Sequence, residues 1–201
     1  MRLLRRQFVG GAVGLAAASA SAQPAGTGAR VGLRTGAGLI LLVLATEKAP
    51  ITSANFLRYV DDKRFDGASF YRAMRLSAAP PAGLIQGGLK NDPARALPPI
   101  AHESTIKTGL RHIDGVVSMA RYDPGTAASE FFICIGAQPS LDADPQGGGD
   151  NQGFAAFGLV VAGMDVVRAI LASPVSSAGE GVMKGQMLEP PITIITARRA
   201  G

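Results

Sequence analysis

The chain has 201 residues, 47% of them hydrophobic and 17% charged, with 26 glycines and a formal net charge of +5. Such a length and composition fit one globular domain with a sizeable core and turn-rich β architecture, and exclude a disordered chain. Three of the 20 basic residues, Arg2, Arg5 and Arg6, fall in an expected leader, so the remaining chain carries about +2; no basic stripe with interleaved aromatics points to nucleic acid.

Residues 1–22 read as a secretory signal: a basic start, a short apolar stretch, and a small-residue site at Ala20-Ser21-Ala22 with cleavage expected after Ala22. The apolar stretch Phe8–Ala22 is shorter than the ~20 residues a spanning helix needs, so no stable membrane anchor is expected. Arg5-Arg6-Gln7-Phe8 resembles a twin-arginine export signal, although Leu4 stands where that signal has Ser or Thr. Either this route or the Sec route implies a periplasmic protein. Residues 23–29 are a Pro/Gly/Thr linker, and 30–201 the folded domain.

Arg30–Arg34 and Leu39–Thr46 read as strands joined by the turn Thr35-Gly36-Ala37-Gly38. A helix is expected after Pro50, capped by Thr52 or Ser53, with Phe56, Tyr59 and Val60 on its apolar side. Ala68–Met74 is a strand, followed by a Pro-rich break over Leu76–Ala82. Gly115–Ala120, Ser129–Ile135, Phe154–Val161 and Pro191–Arg198 complete the strands, and Met164–Leu171 is a second helix with Val167, Ile170 and Leu171 buried. Many short strands with two helices predict a mainly β (α+β) barrel or sandwich.

The residues offer little for group transfer. His102 and His112 sit in loop-like stretches without metal-spaced partners and read as surface or structural groups. Asp142-Ala143-Asp144-Pro145-Gln146-Gly147 half-matches a calcium loop, but Gly153 occupies the position of its bidentate Glu, so a solvated loop is expected and no metal. Cys134 reads as an inert core residue.

A family resemblance emerges from an ordered set of segments: Glu47-Lys48-Ala49-Pro50, Ala54-Asn55-Phe56, Phe70-Tyr71-Arg72, Gln86-Gly87-Gly88, Gly115–Ala120, Ser129–Ile133, Leu141-Asp142, Phe157-Gly158 and Pro191–Ile194. Together they resemble the cyclophilins, peptidyl-prolyl cis-trans isomerases. The resemblance implies a closed eight-stranded antiparallel β-barrel capped by two α-helices, needing no cofactor, acting as a monomer on proline-containing polypeptides. It implies Arg72 as the catalytic arginine and Gln86 beside it. Phe132, Leu84 and Leu141 match the proline pocket, and Ala120 and Arg121 the peptide groove.

Several positions depart from the family. Tyr71 replaces a His, Glu130 a Gln, Arg121 an Asn, Ser140 a Trp and Phe154 a His; Gly83 falls where a Phe is expected. Tyr71, Glu130 and Phe154 are still expected at the substrate groove, with Glu130 able to pair with Arg72. The function expected is isomerisation of X–Pro bonds during folding of exported proteins. The alternative is a catalytically weak peptide-binding module or chaperone on the same fold, in which Glu130 competes for Arg72.

Overall fold

Residues 28–201 are described by the computed structural model of the chain; the expected signal peptide and all but the last two residues of the expected linker lie outside them. The strands are β1 (Arg30–Thr35), β2 (Gly38–Leu44), β3 (Ala68–Ala78), β4 (Pro81–Gly88), β5 (Val116–Met119), β6 (Phe131–Ile135), β7 (Ala155–Ala162), β8 (Val175–Ser176) and β9 (Met187–Ala200). Three α-helices intervene, α1 (Pro50–Asp61), the single turn α2 (Thr105–Thr108) and α3 (Met164–Ala172).

The strands hydrogen-bond in the order β1-β2-β7-β5-β6-β4-β3-β9, and β1 pairs back onto β9. This closes the eight-stranded antiparallel barrel that the resemblance implied and leaves no open edge in the ring. The two-residue β8 adds only to β9, through Val175 opposite Leu188 and Ser176 opposite Met187. Strand alternation fills the interior: Val31 and Leu33, Ile40, Leu42 and Leu44, Phe131 and Ile133 all point into the core.

The helices close opposite ends. β2 begins at Gly38, against Val166 of α3, and runs out at Leu44 toward α1. β3 begins six residues after α1 and sends Arg75 to α3, where its Nε donates to the Leu171 carbonyl at 2.8 Å. From α1, Phe56 meets Phe65, Phe131 and Phe157 at centroid distances of 5.1, 5.3 and 5.2 Å. From α3, Val167, Ile170 and Leu171 are buried, as expected.

Three sequence expectations need correction. The fold has a third helix, α2, capped by Ser104 and ended by Gly109 in the left-handed conformation (φ 69°); a single turn carries no periodicity to read. Helix α1 starts at Pro50, where a fixed φ suits the first helical position, so Thr52 lies inside it and does not cap it. Its free N–H groups are met by Glu103, whose carboxylate accepts from Ile51 N (3.2 Å), Thr52 N (2.7 Å) and Thr52 Oγ1 (2.6 Å). Finally, the Pro-rich break is a continuation of the β3–β4 hairpin, Ser77 pairing with Ala82 and Ala78 with Pro81. Pro81 is the first residue of β4, at the tip of the hairpin and outside the β6 pairing, which begins at Gly83.

Candidate active site

The outer face of β4 and β6 carries a second, smaller apolar cluster. Leu84, Phe132 and Cys134 are buried there, with Met74, Ala120, Leu141 and Phe154 packed against them. Alternation explains it: Phe131, Ile133 and Ile135 fill the barrel, so Phe132 and Cys134 must face the other way. The structure therefore brings together the three apolar residues expected at the pocket, Phe132, Leu84 and Leu141, with the two expected at the groove, Ala120 and Phe154, and adds Met74 and Cys134. Burial pushes the Cys134 thiol up to about 12, so it is an apolar wall and not a nucleophile.

Arg72 sits at the edge of this cluster, half-buried on β3. Its Nη1 donates to Gln86 Oε1 at 2.9 Å, its Nε to Gln186 Oε1 at 2.8 Å, and its Nη2 faces the thioether of Met74 at 3.7 Å. Two amide oxygens thus hold the guanidinium plane, while Nη2 meets only a weak acceptor beside the apolar residues. Desolvation lowers the Arg72 pKa, with Tyr71 opposing, but a guanidinium stays charged in proteins. Gln186 escaped sequence analysis. It lies 114 residues away, and its carbonyl accepts Ala73 N–H at 2.9 Å, which sets it beside Arg72. Its only sequence signal is its place directly before β9, whose first residue, Met187, pairs with Arg72.

Behind Gln86 lies a polar chain. Gln86 Nε2 donates to Tyr71 Oη at 2.8 Å, and Tyr71 Oη donates to Glu130 Oε2 at 2.5 Å. Glu130 Oε1 accepts from Leu89 N, Asn91 N and Ser129 Oγ at 2.9, 3.2 and 2.9 Å. The expected pairing of Glu130 with Arg72 is therefore corrected: the carboxylate is taken up by Tyr71 and by the backbone after β4, and reaches Arg72 only through two intervening side chains. Tyr71 and Glu130, both buried, link Gln86 to the backbone that follows β4. Burial, followed by the Glu130 charge, raises the Tyr71 pKa and keeps the phenol protonated.

Arg121 is held by partners of its own beside the cluster. Its Nε donates to Gly153 O at 3.0 Å, Nη1 to Tyr122 O (3.0 Å) and Asp150 Oδ2 (2.6 Å), and Nη2 to Asp150 Oδ1 (3.0 Å) and Gly153 O. All of its N–H groups are engaged, and its guanidinium lies 5.1 Å over the Phe154 ring. Asp150, hydrogen-bonded to Arg121, is held down at about 2. Arg121 therefore clamps the glycine-rich loop and seats Phe154, which in turn meets Phe132 edge-on at 5.5 Å. An open recess of ≈ 370 Å³, lined in part by Arg121, Asp144, Asp150 and Phe154, adjoins the cluster. The half-matched calcium residues are otherwise occupied, Asp142 by His112 and Asp144 by Gln146 N at 3.0 Å.

His112 is the other residue that sequence analysis underrated. It is buried, with Nδ1 2.7 Å from Asp142 Oδ1, Nε2 2.9 Å from Ser118 Oγ, and its ring stacked 5.9 Å from Phe132. Desolvation lowers its pKa against the pull of Asp142, so it is a neutral support for the pocket floor. The hydrogen-bond partner of His102 is Gln152 O, at 3.0 Å. At Gly83, a Cβ would lie 2.0 Å from Met74 O at φ +151°, so the inserted hairpin excludes the aromatic residue expected there.

A guanidinium held at the edge of an apolar cluster, with no nucleophile–base pair exposed among the described residues, fits rotation of a peptide bond better than its cleavage. The comparisons agree. The family described as cyclophilin type peptidyl-prolyl cis-trans isomerase/CLD matches residues 30–198. A peptidyl-prolyl cis-trans isomerase of Acinetobacter baylyi is 33% identical over 174 residues, 84% of each chain. Peptidyl-prolyl cis-trans isomerase A of Dickeya dadantii is 36% identical over 148 residues, 72% of each chain. The fold is shared with a Cryptosporidium parvum cyclophilin type peptidyl-prolyl cis-trans isomerase, whose structure was determined in the presence of the dipeptide Ala-Pro. That match has a TM-score of 0.67 and 20% identity, and covers 86% of this chain and 99% of the other. The chain therefore belongs to the cyclophilin-type peptidyl-prolyl cis-trans isomerases, enzymes that interconvert the two isomers of the bond preceding proline.

Proposed function

We propose that Arg72 catalyses isomerisation by donating a hydrogen bond, through Nη2, to the prolyl nitrogen of a twisted amide. The barrier of roughly 18–20 kcal/mol comes from amide resonance, and uncatalysed exchange takes tens to hundreds of seconds. When the bond turns out of plane the nitrogen lone pair is released and becomes an acceptor. A donor already fixed in place then binds the twisted amide better than either planar isomer, which is what lowers the barrier. No covalent bond is made or broken.

The observation that carries this reading is the clamp on Arg72. Gln86 and Gln186 take Nη1 and Nε, which leaves Nη2 toward Met74 and the cluster of Leu84 and Phe132. The proline ring sits in that cluster, bounded by Leu141 and Phe154, with Ala120 at the groove rim. The Ala-Pro dipeptide used with the Cryptosporidium relative fits this assignment of substrate. The weak-binding alternative loses its main motive, because Glu130 engages Tyr71 instead of Arg72.

The leader residues support a further reading: the protein acts in the periplasm, exported by the twin-arginine route, on proline-containing segments of exported polypeptides. Among the described residues no helix is long and apolar enough to cross a membrane. The decisive experiment measures cis–trans exchange of a proline-containing peptide with the purified chain. Arg72→Ala should lower kcat/KM by ~100-fold, the loss expected for one fixed donor. A folded Arg72→Ala protein with unchanged rate would reject the mechanism.

A further inference from the structure

We propose that Glu130 is a positioning residue that sets the hydrogen-bond direction of a buried relay ending on Arg72. The inference rests on the reading of Arg72 as the donor to substrate.

The argument follows the protons. Leu89 N and Asn91 N can only donate, and both point at Glu130 Oε1, which also takes the Ser129 hydroxyl. The carboxylate has no proton to offer at Oε2, so the Tyr71 hydroxyl must spend its single proton there, at 2.5 Å. The Tyr71 oxygen is then free only to accept, and Gln86 must present its NH2 group, at 2.8 Å. An amide that turns its nitrogen one way turns its oxygen the other, so Gln86 Oε1 is aimed at Arg72 Nη1, at 2.9 Å. A flipped Gln86 would set N–H against N–H at Arg72 and lose both bonds. Glu130, Tyr71 and Gln86 are each only 6% exposed, so bulk water is poorly placed to repair a wrong orientation.

Glu130→Gln tests this without changing side-chain size. The three donors around Oε1 keep the new amide oxygen there, so its NH2 faces Tyr71. Tyr71 must then accept from residue 130 and donate to Gln86, which reverses the relay and turns the Gln86 nitrogen onto Arg72. The expected result is a fall in kcat of roughly tenfold or more with KM little changed. Tyr71→Phe removes the link altogether. It should lower kcat by about the same factor, and Glu130→Gln added to Tyr71→Phe should then cost no further activity.

A purely structural role would instead lower the melting temperature of each variant and give losses that multiply in the double variant. Multiplying losses, or wild-type kcat in folded Glu130→Gln, overturns the proposal. Should Glu130→Gln fail to fold, wild-type kcat in Tyr71→Phe overturns it alone. Arg72→Ala, run alongside, separates the two ideas. If that variant keeps its activity, the arginine mechanism has failed; if it is inactive while Tyr71→Phe and Glu130→Gln are unimpaired, only the relay has failed.

Discussion

Gln186→Ala is the sharpest test of how Arg72 is held. The substitution removes the acceptor of Arg72 Nε, now at 2.8 Å, but leaves the residue 186 carbonyl to take Ala73 N–H at 2.9 Å, so the local chain pairing persists. A hydrogen bond from a charged donor contributes about 1.5–3 kcal/mol net, and water can replace part of it at this half-buried guanidinium, so ~1.4 kcal/mol of positioning is a reasonable loss. That corresponds to about tenfold in rate. On the proposed mechanism it should fall on kcat more than on KM, because the contact would aim a donor used when the amide is twisted. Gln186→Glu keeps an oxygen at the same place and should recover part of the loss. The assay is exchange of a proline-containing peptide across a substrate series, with melting curves to confirm folding. Unchanged kcat in Gln186→Ala would mean that Gln86 alone orients Arg72; a raised KM at constant kcat would make Gln186 a binding group.

Glu103→Ala should destabilise the fold by ~2–4 kcal/mol, since it uncaps α1 and strands the buried Thr52 hydroxyl. For a domain of this size that is a fall in Tm of roughly 5–15 °C, and a shift below about 2 °C would show that Glu103 is not the cap. His112 gives a pH dependence. Its folded pKa lies below the unfolded value of about 6.5, so the unfolded chain takes up its proton first. Its contribution is complete above about pH 6.5 and is lost as pH falls through the folded value. Denaturant unfolding between pH 7.5 and 5 should show this slope, and His112→Gln should flatten it. An identical slope in the variant would disprove the assignment. Replacing Arg5 and Arg6 by Lys should block export if the twin-arginine route is used, read as loss of the protein from the periplasmic fraction; continued export would favour the Sec route.

What was legible in the sequence follows from locality. Strands β1, β6 and β7 were visible because alternation and turn residues are neighbours in the chain. Arg72, Gln86 and Phe132 were visible through short motifs that resemble a family. What was hidden depends on approaches between distant segments. Glu103 caps a helix 51 residues earlier and Gln186 holds an arginine 114 residues earlier. No local pattern announces either contact. His112 read as a loop histidine because only the fold brings Asp142 to one of its nitrogens and Ser118 to the other. The Arg121–Asp150 pair was hidden because Asp150 lies across a glycine-rich loop whose path the sequence does not specify.

The two departures closest to Arg72 illustrate this limit best. In the sequence, Tyr71 and Glu130 are separate substitutions, 59 positions apart, and an acid near a catalytic arginine reads as a competitor for it. In the fold they form one hydrogen bond of 2.5 Å. A phenol has one proton and a carboxylate has none, so this pair transmits direction, where a residue able both to donate and to accept would leave direction open. The acid is also anchored by backbone N–H groups that cannot reverse roles. Seen this way, a negative charge near the arginine need not weaken it as a donor. Held two side chains away, the charge orders the amide that holds the guanidinium, and leaves Nη2 beside the pocket where a proline nitrogen would lose its planarity.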